Sequence, residues 1–311
     1  LALRQLKELG QLAQRLDMSI VLVKGAVVAQ TYPSPWMRVY KDIDLLVAPS
    51  DASPLVAALR AQGYQMKVSG MRGFHLPPLS PESQGLRIEI HTSLIQDVDD
   101  FTVERWRARL QSWDLFPGLQ APHPVDHFLY LVAHLMKHRL NIGLLSLADL
   151  KFWTADWSET EWQALAARAE ASQMTHVVGL ALSLAAWFWD EAWPSEVAML
   201  FPSPPPEVMT TAQRVICGEL VQRMPAVWRD LPSRDLRGVL SYARVVLFGD
   251  SPARQQLQGW EKVGFLFRRP FGLLKHHGPA LWRLLTREPG TQSAWKAQRQ
   301  LYDWLTENQA C

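Results

Sequence analysis

Two aspartates one residue apart, Asp42-Ile43-Asp44, lie inside the apolar run from Lys41 to Val47. Side chains alternate along a strand, so both carboxylates point to one face while Ile43 and Leu45 point to the other. A rise of about 3.3 Å per residue sets their Cα atoms about 6.5 to 7 Å apart. Two carboxylates held this way can share one or two Mg²⁺ ions. Burying them without a cation would cost several kcal/mol or push their pKa values strongly upward. The motif needs company, because a chain of this length shows about one D-x-D by chance. Asp97-Val98-Asp99 is a second one; no apolar strand flanks it, and it reads as a solvated loop or a helix start.

The company of the first D-x-D is basic and acidic. Lys24-Gly25 ends the β-branched run Ser19–Val23 and opens a short helical stretch. A strand-to-helix turn offers backbone N–H groups to a phosphate, and glycine lets the backbone approach closely. Lys24 could add a point charge to that phosphate, or be an ordinary exposed lysine at a turn. Arg38, four residues before Asp42, could reach a triphosphate from the strand's entrance, or be solvated in its proline-rich loop. In Arg87-Ile88-Glu89-Ile90-His91, residues 87, 89 and 91 share one face. Glu89 could pair with Arg87. It could instead complete a metal and base cluster with Asp42 and Asp44, where a carboxylate can accept the proton of an attacking hydroxyl.

The elements that must hold these residues are legible from periodicity. Residues 3–16 repeat apolar side chains at helical spacing, and residues 51–62 form a second amphipathic helix ended by Gly63. Strands are expected at 19–23, 41–47 and 86–91, with a strand or hairpin over 64–76 that contains His75, and PPLSPESQG (77–85) reads as a loop. From about residue 120 helical periodicity takes over: 124–140, 144–153, 158–172, 175–190 and 207–223. Strands alternating with helices and followed by helices alone predict an α+β protein. Its catalytic domain of mixed sheet spans 1–118, and a larger all-helical domain, 119–311, closes the cleft.

Composition narrows the function. With 32 Lys plus Arg against 30 Asp plus Glu, the formal net charge is +2, so nothing argues for a nucleic acid as an obligatory partner. Cys217 and Cys311 make neither a disulfide framework nor a zinc site by themselves, and a reducing cytoplasm is the expected compartment. The uncharged run Val177–Trp189 is too short to span a bilayer and reads as a buried helix. The 14 tryptophans read as core and interface filling, with one or two available to stack on a base or sugar. His127, His134 and His138 fall on one helical face; they could bind zinc, line a cleft or be structural. The basic and apolar stretch 265–287 could dock on the protein's own core or on an acidic membrane surface.

The string VLVKGAVVAQTYPSPWMRVYKDIDLLV, followed by RIEIHTSLI, resembles an uncharacterised bacterial nucleotidyltransferase family of the polymerase-β-like superfamily. The resemblance covers residues 15–155 and is strongest at 22–47 and 86–92. It implies that Asp42 and Asp44 bind Mg²⁺ and that Glu89 is the third acid and base. It further implies transfer of a nucleoside monophosphate from an NTP, with ATP expected, to an acceptor such as a small molecule, a biosynthetic-pathway peptide or a protein side chain. Lys24-Gly25 stands where most of the superfamily carries a Gly-Ser turn on the phosphates, and Lys24 and Arg38 would clamp the β- and γ-phosphates. His134 and Asp149 match a His-rich helix and a Leu-x-Asp helix of the family, on the acceptor or base side of the cleft. Thr92 stands where many members carry Trp. Two other readings of the same fold are a catalytically silent nucleotide- or partner-binding module and an RNA-directed transferase.

Overall fold

In the strand β2 (Asp42–Leu46), Ile43 and Leu45 are wholly buried on one face while Asp44 lies on the other. The computed structural model describes residues 2–66, 76–95, 99–220 and 288–307. His75, Asp97 and the stretch 265–287 fall outside them. β2 is the centre of a seven-stranded mixed sheet. The other strands are β1 (Ile20–Val23), β3 (Tyr64–Met66), β4 (Leu79–Pro81), β5 (Arg87–His91), β6 (Gln111–Ser112) and β7 (Leu119–Ala121), in the order β3-β4-β5-β2-β1-β7-β6. β2 runs antiparallel to β1 and parallel to β5, and β7 runs parallel to β1.

β1 is covered on both faces of the sheet, which is why all four of its apolar residues are buried. On one face Ile20, Leu22, Ile43, Leu45, Ile88 and Ile90 pack under helices α1 (Ala2–Leu16) and α3 (Pro49–Ala61), which contribute Leu6, Leu9, Leu12, Leu55 and Leu59. On the other face Val21, Val23 and Leu46 meet Phe128, Leu129 and Val132 of helix α5 (Pro124–Lys137). Each such side chain contributes about 1.5–3 kcal/mol by leaving water. The acids of β2 and β5 share this second face, so the sheet aims them at the helical layer.

Between β1 and β2 lies the four-residue helix α2 (Gly25–Val28), and α4 (Val103–Trp106) precedes β6. The helical layer continues with α6 (Leu145–Trp153), α7 (Glu159–Ala171), α8 (Thr175–Trp189), α9 (Ser195–Leu200), α10 (Pro206–Ile216) and a helix at Pro289–Glu307. Ser158 and Glu161 close a reciprocal capping box that starts α7. α8 is the uncharged run of the sequence, and it is buried from Val177 to Leu182. No helix among the described residues is long and apolar enough to cross a membrane. Trp157, Trp162 and Trp193 stack edge to face in this layer beside Phe128, the core filling expected of the tryptophans.

Several elements differ from the sequence reading. The stretch read as the loop 77–85 contains β4, which joins β3 to β5; prolines 77, 78 and 81 hid it. β7 continues the sheet past residue 118, inside a proline-bounded stretch with no alternation to announce a strand. Asp99 opens a one-turn 3-10 helix, Asp99–Phe101. The fifth predicted helix ends at Ile216, short of residue 223.

Candidate active site

The register of β2 on β5 builds the site. Asp44 stands opposite Glu89, with Asp42 opposite Arg87 and Leu46 opposite His91. Asp44 is 4% exposed and Asp42 half-buried. A carboxylate so deep needs partners, and Asp44 has two: Lys24 Nζ donates to its Oδ1 at 2.6 Å, and His91 Nε2 lies 2.8 Å from the same oxygen. Burial alone would raise the Asp44 pKa, but Lys24 and His91 outweigh it and bring it from 3.8 to about 2. Asp42 has no comparable support; burial first, then Asp44 and Glu89, push its pKa up. Arg87 reaches Asp42 at 3.5 Å, so the ion pair that Arg87 makes is with Asp42, one of the D-x-D acids, where the sequence offered Glu89.

Lys24 is placed by its backbone. It has φ 56° and ψ −134°, a conformation that costs a non-glycine residue about 1–3 kcal/mol. Its carbonyl accepts from Val27 and Val28, and its N–H donates to His127 Nε2 at 3.0 Å. His127 sits on α5 and is fully buried, which lowers its pKa to about 3, so the ring is neutral and able to accept. The first N–H of the turn that the sequence offered to a phosphate is therefore taken up inside the protein. Gly25 is required for packing as well: a Cβ there would lie 2.8 Å from Tyr40 Cβ. Burial works against the Lys24 ammonium, yet Tyr130, Asp44 and Glu89 around it raise its pKa.

Arg38 reaches the site through a buried triad. Its Nε and one terminal nitrogen donate to the two oxygens of Asp149 at 2.6 and 2.8 Å, and the Tyr32 hydroxyl donates to Asp149 at 2.8 Å. Asp149, on α6, is thereby spent on Arg38 and Tyr32. The three histidines in and just after α5 diverge in surroundings. His127 faces Trp153 edge-on, His134 is near Lys24 and Asp44 with its pKa held well below the ordinary value by burial, and His138 is exposed. Among the described residues they form no metal-binding group.

The residues that do are Asp44, Glu89 and His91: one donor atom from each lies within 4.8 Å of the others. Carboxylates joined by an imidazole, with Asp42 two residues along the same face, are a donor set that suits a divalent cation. His91, Tyr32 and Tyr130 had no role assigned from sequence. His91 showed the right face in its alternation; the tyrosines gave no signal, because their contacts come from distant helices.

The acidic face of the sheet and the sequence pattern point to one class, the nucleotidyltransferases. A family model described as an uncharacterised nucleotidyltransferase matches residues 1–190 of the 311, and the chain belongs to that family. The match ends one residue beyond α8, so it takes in the helices that cover the site as well as the sheet. No curated protein matches the chain. Among solved structures, an antigenic nucleotidyltransferase-like protein from Paracoccidioides brasiliensis is similar over 63% of this chain and 95% of that one, at 14% identity and a TM-score of 0.34.

The acid response of stability tests the Asp44 pairing. A carboxyl whose folded pKa is depressed adds stability that is present above its unfolded pKa, about 3.9, and lost as pH falls through its folded value. For Asp44 that window runs from about pH 4 down to about 2. Between pH 5 and pH 2 the wild type is expected to lose about 2 kcal/mol more than Asp44→Asn, measured by urea unfolding. Parallel losses would show that Lys24 and His91 do not hold the charge.

Proposed function

We propose that the protein transfers a nucleoside monophosphate from a nucleoside triphosphate, ATP being the expected one, to a hydroxyl of a small molecule, peptide or protein, with release of pyrophosphate. The observation that supports this most is the pairing of Asp44 with Glu89 across β2 and β5, with Asp42 two residues along the same face. Asp42, Asp44 and Glu89 would hold Mg²⁺. When bound, Mg²⁺ neutralises charge on the triphosphate and lowers the pKa of the attacking hydroxyl.

The remaining work falls to side chains of this chain. Glu89 accepts the acceptor's proton as its oxygen bonds to the α-phosphorus. The bond from that phosphorus to the β-bridging oxygen breaks, and the pyrophosphate carries away the electron pair. Lys24, held beside Asp44 at 2.6 Å, and Arg38, held by Asp149, supply positive charge to the β- and γ-phosphates. Asp149 acts through Arg38 as a positioning residue. His134, neutral through burial, can accept a hydrogen bond from the acceptor.

Calorimetric titration of ATP, GTP, CTP and UTP, each with Mg²⁺, into the wild type and the Asp42→Ala/Asp44→Ala variant tests this reading. Binding of one nucleotide that needs Mg²⁺ and is lost in the variant is the expected result. Folded wild type that binds none of the four would instead favour a module without catalysis.

A further inference from the structure

The acidic face carries one donor that a magnesium site does not call for. His91 closes β5, and its side chain is 6% exposed. It faces the helical layer beside the carboxylates although its register partner on β2 is the apolar Leu46. Its Nε2 lies 2.8 Å from Asp44 Oδ1, and single donor atoms of Asp44, Glu89 and His91 lie within 4.8 Å of one another. Around an ion with bonds of about 2.1 Å, adjacent donors sit about 3 Å apart and opposite ones about 4 Å apart. The 2.8 Å between His91 Nε2 and Asp44 Oδ1 matches an adjacent pair, and all three atoms lie within 4.8 Å of one another, close enough for one ion to draw them together.

We infer that His91 is a metal ligand, and that with Asp44 and Glu89 it makes the site take a first-row transition dication, such as Mn²⁺, in preference to Mg²⁺. This rests on the metal-assisted transfer proposed above and names the ion class that serves it. Mg²⁺ is a hard cation that binds oxygen and keeps its waters. Affinity for imidazole nitrogen rises along the transition series from Mn²⁺, which still accepts carboxylate and phosphate oxygens. A face of carboxylates alone would give little reason to depart from Mg²⁺. One buried nitrogen among them tips the choice, because both ions gain from the oxygens and the transition ion alone gains much from the ring. Lys24 shares the same Asp44 oxygen, so the ion competes with the ammonium, and the extra donor helps an ion that gives up water more readily than Mg²⁺ win that competition.

The test uses the full chain and metal alone. Mn²⁺ is titrated in and the free ion counted by electron paramagnetic resonance, with Mg²⁺ as competitor; pulsed spectra then report nitrogen coordinated to the bound ion. Expected is a directly bound ¹⁴N in the wild type that is missing in His91→Asn, together with at least a tenfold fall in the Mn²⁺-to-Mg²⁺ affinity ratio. Because His91 is buried, wild type grown with ¹⁵N-histidine gives a check that needs no folded variant: the coupling must change from ¹⁴N to ¹⁵N. Bound Mn²⁺ with no nitrogen coupling, or a coupling and affinity ratio unchanged in His91→Asn, would overturn the ligand assignment and leave the carboxylate metal site standing. Folded wild type that binds neither ion would remove the metal site itself and this inference with it.

Discussion

Asp44→Asn is expected to slow pyrophosphate release about a thousandfold or more, close to 4 kcal/mol on the barrier. Asp44 is the most enclosed acid of the site and the one that Glu89, Lys24 and His91 all surround. The amide keeps the shape but removes the charge that pairs with the Lys24 ammonium and that the proposed divalent ion would need. Asp42→Asn should cost less, since Asp42 is half-buried and its ion pair among the described residues is a long one, to Arg87 at 3.5 Å. Rates of the two variants, measured beside circular dichroism spectra that confirm folding, give the ranking. Retention of more than a tenth of the wild-type rate by Asp44→Asn would remove it from the reacting centre.

The largest effect on stability should come from Asp149→Ala. The Arg38 and Asp149 side chains are 14% and 8% exposed, and removal of one partner leaves the other charge buried and uncompensated. Breaking such a pair costs about 3–5 kcal/mol, here with the Tyr32 hydroxyl also stripped of its acceptor. Asp149→Asn should cost less, because an amide oxygen still accepts from Tyr32 or Arg38. Urea unfolding of both variants measures the difference. A loss under about 1 kcal/mol for the alanine variant would show that Arg38 swings out to water, and would end its part as a fixed clamp.

Both predictions depend on features that the sequence disclosed unequally. Alternation alone set Asp42 and Asp44 on one face and Glu89 and His91 on another strand's matching face. It could not say that Asp44 meets Glu89, because register is decided by how the two strands seat between α1, α3 and α5. The Lys24-Gly25 turn was visible as a turn, but its backbone geometry and its bond to His127 come from a helix about a hundred residues away. For the same reason the heptad spacing of His127 and His134 suggested a shared purpose that packing then divided: one ring, against Trp153, accepts from the Lys24 backbone, and the other lies near the charged groups of Lys24 and Asp44. Asp149 stood out only by resemblance, and nothing in the sequence told that its two oxygens accept from Arg38 and Tyr32. Short strands were the least legible, since three residues carry too little alternation to stand out among prolines, as in β4 and β7.

One of those short strands bears on how the chain is made. β7 pairs Leu119 and Gln120 with Ile20 and Val21, and the Ser19 hydroxyl hydrogen-bonds Gln120. β1 therefore has one of its two neighbours encoded about a hundred residues downstream. On a ribosome working at about 5–20 residues per second, roughly 5–20 s separate the synthesis of the two partners. During that interval four apolar residues, Ile20 to Val23, form an open sheet edge, the kind of surface that recruits other chains. A nascent chain stalled before residue 119 should thus be a chaperone client, and one stalled far enough beyond residue 121 to free β7 from the exit tunnel should be released.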